Sequence, residues 1–247
     1  MTLAILTARM QSSRLPGKPL AKICGRPCLD WIVDRLRNCN SVDQIVLATP
    51  PVGQEKLWAW SRTRKVTACV GDEDDVLVRM ADLSSRLKAD KVVRITADLP
   101  FLSYEGVDEL VQALTADVDY VNNVYGEKRY LDGTQAEVCW NDALQRAARM
   151  TPHGEGMRLH DNVTMDGSWR LHGMYWMANS PAFIRKRIES KHDISDISHI
   201  QLMLDEPNDL KVAEYLMDKV VNSDDTYPTL LSLVRENREK IEALRAS

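Results

Sequence analysis

Three cations and two hydroxyls crowd into one short segment, LTARMQSSRLPGKPL, which runs from Leu6 to Leu20. Arg9, Arg14 and Lys18 carry the charge, and Ser12 and Ser13 add donors. Gly17 lets the backbone approach a ligand closely. The segment follows a short apolar run, Leu3 to Thr7, that reads as a buried strand. A cationic loop at the carboxyl end of a strand suits a triphosphate, whose charge demands several donors at once. It is not a Walker A loop, because Lys18 is followed by Pro19 rather than Ser or Thr. No GxGxxG occurs there either, so a dinucleotide fold has no support in the sequence.

A second set of residues is acidic. Asp98 and Asp205 each follow an apolar strand and precede a turn containing proline. Two carboxylates from separate strand ends could share one magnesium ion held against phosphate oxygens; each could instead cap the helix behind it. Asp209 rivals Asp205 as the C-terminal ligand, though it should lie a turn into that helix. GDEDDVLVR, Gly71 to Arg79, puts four acidic residues in a row. They cannot all face a triphosphate, and Asp74 or Asp75 is expected to cap the helix that follows.

The elements that must position these groups alternate. Strands are expected at Gln44 to Thr49, Val66 to Val70, Lys91 to Thr96 and from Val118 to Val121. Helices are expected around Leu29 to Leu36, Glu55 to Ser61, Val76 to Leu87 and Tyr104 to Leu114. Repeated strand–helix units predict a mostly parallel α/β sheet of nucleotide-binding, Rossmann-like type, with helices on both faces. Ligands then bind at the carboxyl ends of the strands. From about residue 126 to 191 the pattern loosens. Glu137 to Trp140 and Trp169 to Met177 read as strands and Asp142 to Met150 as a helix, giving a small antiparallel insertion or dimerisation arm within a single domain, 1–247. Ile200 to Leu204 reads as a strand, Pro207 as the first turn of a helix to about Val221, and Pro228 to Leu244 as one amphipathic helix.

Bulk properties narrow the class. The chain has 247 residues, 44% of them hydrophobic and 28% charged, with a formal net charge of -4. An acidic balance disfavours nucleic acid as the main partner. No apolar stretch approaches the ~18 residues of a membrane span, and the first residues lack a signal pattern, so a cytoplasmic protein is expected. The five cysteines are an odd number without a CxxC pair, as for reduced thiols. His153 and His160 lack zinc-site spacing.

The motifs together resemble those of the cytidylyltransferases that make CMP-activated sugars. The spore-coat polysaccharide and 3-deoxy-manno-octulosonate types are the nearest forms, and the acylneuraminate type is more distant. The resemblance spans nearly the whole chain: ARM-x-SSRLPGK, GxPxL at Gly25 to Leu29, G-x-EDDVL-x-R, RIT-x-D-x-P at Arg94 to Pro100, DG-x-x-x-EV at Asp132 to Val138 and LDxPxDL at Leu204 to Leu210. It implies that Asp98 and Asp205 hold Mg2+, and that Arg14, Lys18 and Asp98 serve catalysis. It places Ala8, Arg9, Met10, Ser13, Arg14 and Lys18 at the nucleotide, with Gly71, Asp75, Arg79 and Ala97. It puts Asn122, Asn123, Asp132, Glu137 and Arg158 on the side of the acceptor.

One segment departs from the pattern. The spore-coat type shows a contiguous R-E-H-V-T, whereas this chain reads MRLHDNVT from Met157 to Thr164. The implied reaction is transfer of CMP from CTP to an acidic sugar in a homodimeric enzyme. A nucleotidyltransferase acting on a sugar phosphate and an inactive nucleotide-binding homologue are the competing readings. The residues alone say only nucleoside triphosphate.

Overall fold

An apolar run buried on both faces belongs inside a parallel sheet, and β1 (Thr2–Thr7) is buried along all but its last residue. In the computed structural model, which describes residues 1–125, 129–150, 170, 172–219 and 225–246, the chain continues through a small hairpin, β2 (Lys22–Ile23) and β3 (Arg26–Pro27). Then come α1 (Cys28–Arg37), β4 (Gln44–Thr49), α2 (Glu55–Arg64), β5 (Thr67–Val70), α3 (Val76–Arg86), β6 (Lys91–Thr96), α4 (Tyr104–Ala113) and β7 (Tyr120–Asn122). Beyond these lie β8 (Glu137–Trp140), α5 (Asn141–Met150), α6 (Tyr175–Asn179), β9 (Arg185–Arg187), α7 (Pro207–Met217), α8 (Tyr227–Glu236) and α9 (Arg238–Ala246).

The seven-stranded sheet has the order β5-β4-β1-β6-β8-β7-β9. Only β8 runs against its neighbours, pairing antiparallel with β6 and β7. The expected α/β class is therefore found, with its antiparallel element inside the sheet. Helices cover both faces. Leu29, Ile32, Leu57, Val107 and Leu110 fill one core, and Leu77, Met80, Leu83, Ala143 and Leu144 fill the other. The chain leaves β1 towards β4 and β5, then returns to the opposite side of β1 with β6. That reversal opens a crevice at the carboxyl ends of β1 and β6, where Thr7 lies opposite Thr96.

Three expectations need correction. Tyr175 to Met177 is helical: Gly173 turns the chain at φ +64, a conformation no strand uses, and Trp176 and Met177 are then buried on one side. Trp169 lies outside the described residues. Ile200 to Leu204 is not a strand; it contributes one bridge, Gln201 with Asp132. The C-terminal stripe is two helices, because Asn237 ends α8 by donating its side-chain amide to Leu233 O and accepting from the Tyr215 hydroxyl. All five cysteines are free thiols, and Cys28, Cys39 and Cys139 are buried.

The segment before α7 crosses Asp132–Gly133 at very short range, and Leu202 N donates to Asp132 O at 2.8 Å. Gly133 sits at φ +93, and a Cβ there would fall 2.4 Å from Met203 N and 2.6 Å from Leu202 C. Gly133→Ala should therefore cost at least about 1–3 kcal/mol, read as a lower urea midpoint with unchanged slope.

Candidate active site

The loop after β1 is built as a wrapped turn. Gly17, at φ +73, donates its N–H to Met10 O at 2.9 Å and accepts from Leu20 N at 2.9 Å, which starts the short 3-10 turn Lys18–Leu20. Buried Gln54 supports the loop from α2. Its Oε1 accepts from Met10 N at 3.0 Å and its Nε2 donates to Gln11 Oε1 at 2.8 Å. A glutamine ahead of a helix carries no sequence signal for this job, and the reading of the residues missed it.

The far wall comes from the C-terminal half. Leu204 N donates to Asp98 O at 2.9 Å, which hooks the segment before α7 onto the end of β6. Asp209, the rival metal ligand, is committed elsewhere. Its Oδ2 accepts from the N–H groups of Asp205 and Glu206, both at 2.8 Å, and its Oδ1 pairs with Arg245 at 2.7 Å. This is a capping box, and it leaves the Asp205 carboxylate free to face the loop.

The charged groups converge. Lys18 Nζ lies 2.6 Å from Asp98 Oδ2 and 3.6 Å from Asp205 Oδ1, and Arg14 Nη2 lies 2.5 Å from Asp205 Oδ2. Asp98 Oδ1 is buried and has no hydrogen-bond partner among the described residues. They border a cleft of about 340 Å³ that is also lined by Ala8, Arg9, Ser12, Ser13, Ala97 and His172. Thus Arg9, Arg14, Lys18, Asp98 and Asp205 meet in one cleft, as a shared polyanion and cation would require. Met10 packs against the core instead and fixes the loop through its backbone.

The acidic segment forms another wall. Glu73, Val76 and Arg79 line the cleft. Buried Arg79 donates from Nε to Asp72 O at 2.7 Å and from Nη2 to Glu73 O at 2.8 Å. Burial lowers its pKa; Asp72 opposes that shift and Arg9 adds to it. Gly71 is glycine because a Cβ there would lie 2.5 Å from Arg79 Cγ. Asp75 caps α3, accepting from Val78 N at 2.8 Å, and pairs with Arg170; it does not line the cleft.

Among the described residues, those expected on the acceptor side do not line this cleft. Asn122 accepts from Val124 N and Tyr125 N at 3.1 Å, and Asn123 accepts from Ala136 N at 2.9 Å; both are buried loop fasteners. Asp132 bridges to Gln201. Glu137 is buried and paired with Arg94, and it accepts from the Tyr120 hydroxyl. Arg158, His153, His160 and the whole segment Met157 to Thr164 lie outside the described residues. Arg94, Thr96 and His172 line the cleft without having been singled out for it.

Sheet, switch-point crevice and cationic loop define a Rossmann-like α/β protein of nucleotide-binding type. The chain belongs to the cytidylyltransferase family, whose profile matches residues 3–159. It is 30% identical over 115 residues to the 3-deoxy-manno-octulosonate cytidylyltransferase of Geobacter metallireducens, covering 46% of this chain and 44% of that protein. The chain spans about half the length of the curated relatives it matches. A cytidylyltransferase structure from Leptospira borgpetersenii superposes with a TM-score of 0.84 at 20% identity, covering 97% of this chain and 96% of the other. A CMP:2-keto-3-deoxy-manno-octonic acid synthetase complexed with CTP superposes with a TM-score of 0.65 at 16% identity, over 89% and 99% of the two chains. Among the described residues no helix is long and apolar enough to cross a membrane.

The carboxylates compete with any anion for Arg14 and Lys18. Asp205→Ala should therefore bind inorganic triphosphate about 5-fold more tightly without divalent metal, a gain of about 1 kcal/mol. Calorimetry in chelator should show the gain, and added salt should shrink it.

Proposed function

We propose that the protein transfers CMP from CTP to an acidic sugar of the octulosonic or nonulosonic type and releases pyrophosphate. The observation that carries this reading is the linked set of ion pairs Asp98–Lys18–Asp205–Arg14, with contacts of 2.6, 3.6 and 2.5 Å, in a chain whose family is cytidylyltransferase. The named activity of the Geobacter relative and the CTP held by a structural neighbour favour cytidine as the base and an acidic sugar as the acceptor.

Magnesium fits the donor set. Asp98 and Asp205 supply hard oxygens, and buried Asp98 Oδ1 lacks a hydrogen-bond partner among the described residues. Among the described residues no group of three or more His, Cys, Asp or Glu gathers for a metal, so phosphate and water oxygens would complete the shell, as is usual for this ion. Bound there, Mg2+ would neutralise phosphate charge and lower the pKa of the attacking hydroxyl.

The chain's own residues do the rest. Lys18 and Arg14 neutralise the two carboxylates before the nucleotide arrives. They can then turn to the triphosphate, and Asp98 and Asp205 would be the residues available to hold a cation. An acceptor oxygen attacks the α-phosphorus, the bond to the β-phosphate breaks, and Lys18, Arg14 and Arg9 stabilise the charge on the departing pyrophosphate. The loop carbonyls of Asp72 and Glu73, pinned by Arg79, shape the wall for the nucleoside.

The defining test pairs CTP, UTP, GTP and ATP, each with magnesium, against eight- and nine-carbon acidic sugars and against sugar phosphates. Pyrophosphate release with CTP and an acidic sugar is expected; release only with a sugar phosphate, or with none, refutes the reading. Asp98→Asn should keep its melting temperature while turnover falls on the order of 10³-fold; unchanged turnover would remove Asp98 from the metal site. Lys18→Met should bind Mn2+ more tightly than the native protein without nucleotide, since a charge competing at 2.6 Å is gone. Manganese electron paramagnetic resonance reads this apart from turnover.

A further inference from the structure

Among the described residues five cations line the cleft: Arg9, Arg14, Lys18, Arg79 and Arg94. The first three belong to the loop after β1, and Arg79 commits its donors to the carbonyls of Asp72 and Glu73. Arg94 remains. It projects from β6, the strand that ends just before Asp98, and its one hydrogen-bond partner among the described residues is Glu137, reached through Nη1. Its Nε is buried and has no hydrogen-bond partner among them.

The arrangement leaves one edge of the guanidinium unused. Glu137 stands opposite Arg94 in the β6–β8 register and takes one terminal nitrogen. Tyr120 donates to the second oxygen of Glu137, so the carboxylate cannot swing round to take more. The Nε–Nη2 edge is the side on which arginine offers two parallel N–H bonds to a carboxylate. Gly173, at φ +64, lies against that edge, where a Cβ would come 2.8 Å from Nε. Any side chain at 173 would fill the space. His172, the preceding residue, lines the same cleft.

A buried ion pair is weak evidence for stability, because apolar residues of the same shape often serve as well. A buried donor without an acceptor adds a cost. Both are expected where a charge is held in readiness for a ligand. In an in-line displacement the acceptor approaches the α-phosphorus from the side opposite the leaving pyrophosphate. Arg14 and Lys18 hold the pyrophosphate side, which leaves Arg94 as the cation for the other.

We propose that the Nε–Nη2 edge of Arg94 receives the carboxylate of the acidic sugar, which makes Arg94 a specificity-determining residue for the acceptor. The assignment rests on the reading of the protein as a CMP transferase to acidic sugars. Glu137 holds the guanidinium in place and does not itself touch the sugar.

The experiment compares 3-deoxy-manno-octulosonate and N-acetylneuraminate with their carboxamides, using CTP and magnesium. The proteins are the native enzyme, Arg94→Lys, and Arg94→Met combined with Glu137→Gln so that no buried carboxylate is left alone. In the native enzyme, replacing the carboxylate by the amide should lower kcat/KM on the order of 10- to 100-fold. In the double variant the same replacement should matter less than about 3-fold, with Arg94→Lys between and the KM for CTP unchanged throughout. Where turnover is too slow, the acid-to-amide ratio is read from equilibrium binding by calorimetry. If the double variant does not fold, Arg94→Lys decides. An amide penalty equal in native and variant proteins overturns the assignment while leaving the transferase reading intact. So does a loss confined to the KM for CTP. A native enzyme that uses none of the acids removes both together.

Discussion

Two carboxylates brought from distant parts of the chain must face one another across a narrow cleft, and the structure is organised around making that tolerable. Like charges about 4 Å apart repel by about 4 kcal/mol at the effective dielectric usual near a protein surface. Lys18 sits between Asp98 and Asp205 and removes that repulsion, and Arg14 secures the outer carboxylate. The backbone devices around them serve this arrangement. The β1–β6 register puts the loop beside the end of β6, and Gly17 wraps the loop back on itself. The hydrogen bond from Leu204 N to Asp98 O brings in the second carboxylate.

The same charge balance explains why the cleft's cations differ in exposure. The Arg14 side chain is 60% exposed and that of Lys18 20%, and among the described residues both side chains pair with the carboxylates of Asp98 and Asp205 alone. Arg79 and Arg94 are held by backbone carbonyls or by a buried glutamate. Loop cations can therefore exchange partners when a polyanion arrives, while the cations on α3 and β6 cannot move without unpacking the wall. Burial lowers the pKa of Arg94, but the charge and hydrogen bond of Glu137 outweigh it and the net direction is upward, so this group stays charged in a largely desolvated place.

Much of this was legible in the sequence. The apolar runs and helical stripes gave the strands and helices of the first half, because each element there is a local pattern with one buried face or two. The cationic loop and Asp98 were legible too, since in a parallel sheet a strand's carboxyl end is itself a location; Asp205 was picked out by the same argument although the segment before it is not a strand, and it reaches the cleft through the Leu204 N to Asp98 O hydrogen bond. What could not be read depends on pairing between distant segments. Glu137 was expected to face a sugar, but β8 inserts antiparallel between β6 and β7 and turns that carboxylate onto Arg94. Asn122 and Asn123 end a strand as a ligand-facing residue would, yet their side chains fasten the backbone of the loop that follows. Asp209 rivalled Asp205 on the sequence, although it was expected a turn into the helix, and the hydrogen bonds it accepts from Asp205 N and Glu206 N commit it to the helix start.

That last distinction bears on why LDEPND is arranged as it is. A helix start leaves N–H groups unsatisfied, and an aspartate in the first turn would normally be drawn to them. Asp209 at the third position instead takes the N–H of the cap residue Glu206 and that of Asp205 before it and is anchored by Arg245, so among the described residues no backbone N–H claims the Asp205 carboxylate. Pro207 removes a further donor from the first turn. The sequence thus separates two tasks that one aspartate could not perform together: one carboxylate stabilises the helix, and the other stays available to charge in the cleft. The buried Oδ1 of Asp98 shows the same division on the opposite wall, where no hydrogen-bond partner among the described residues occupies it.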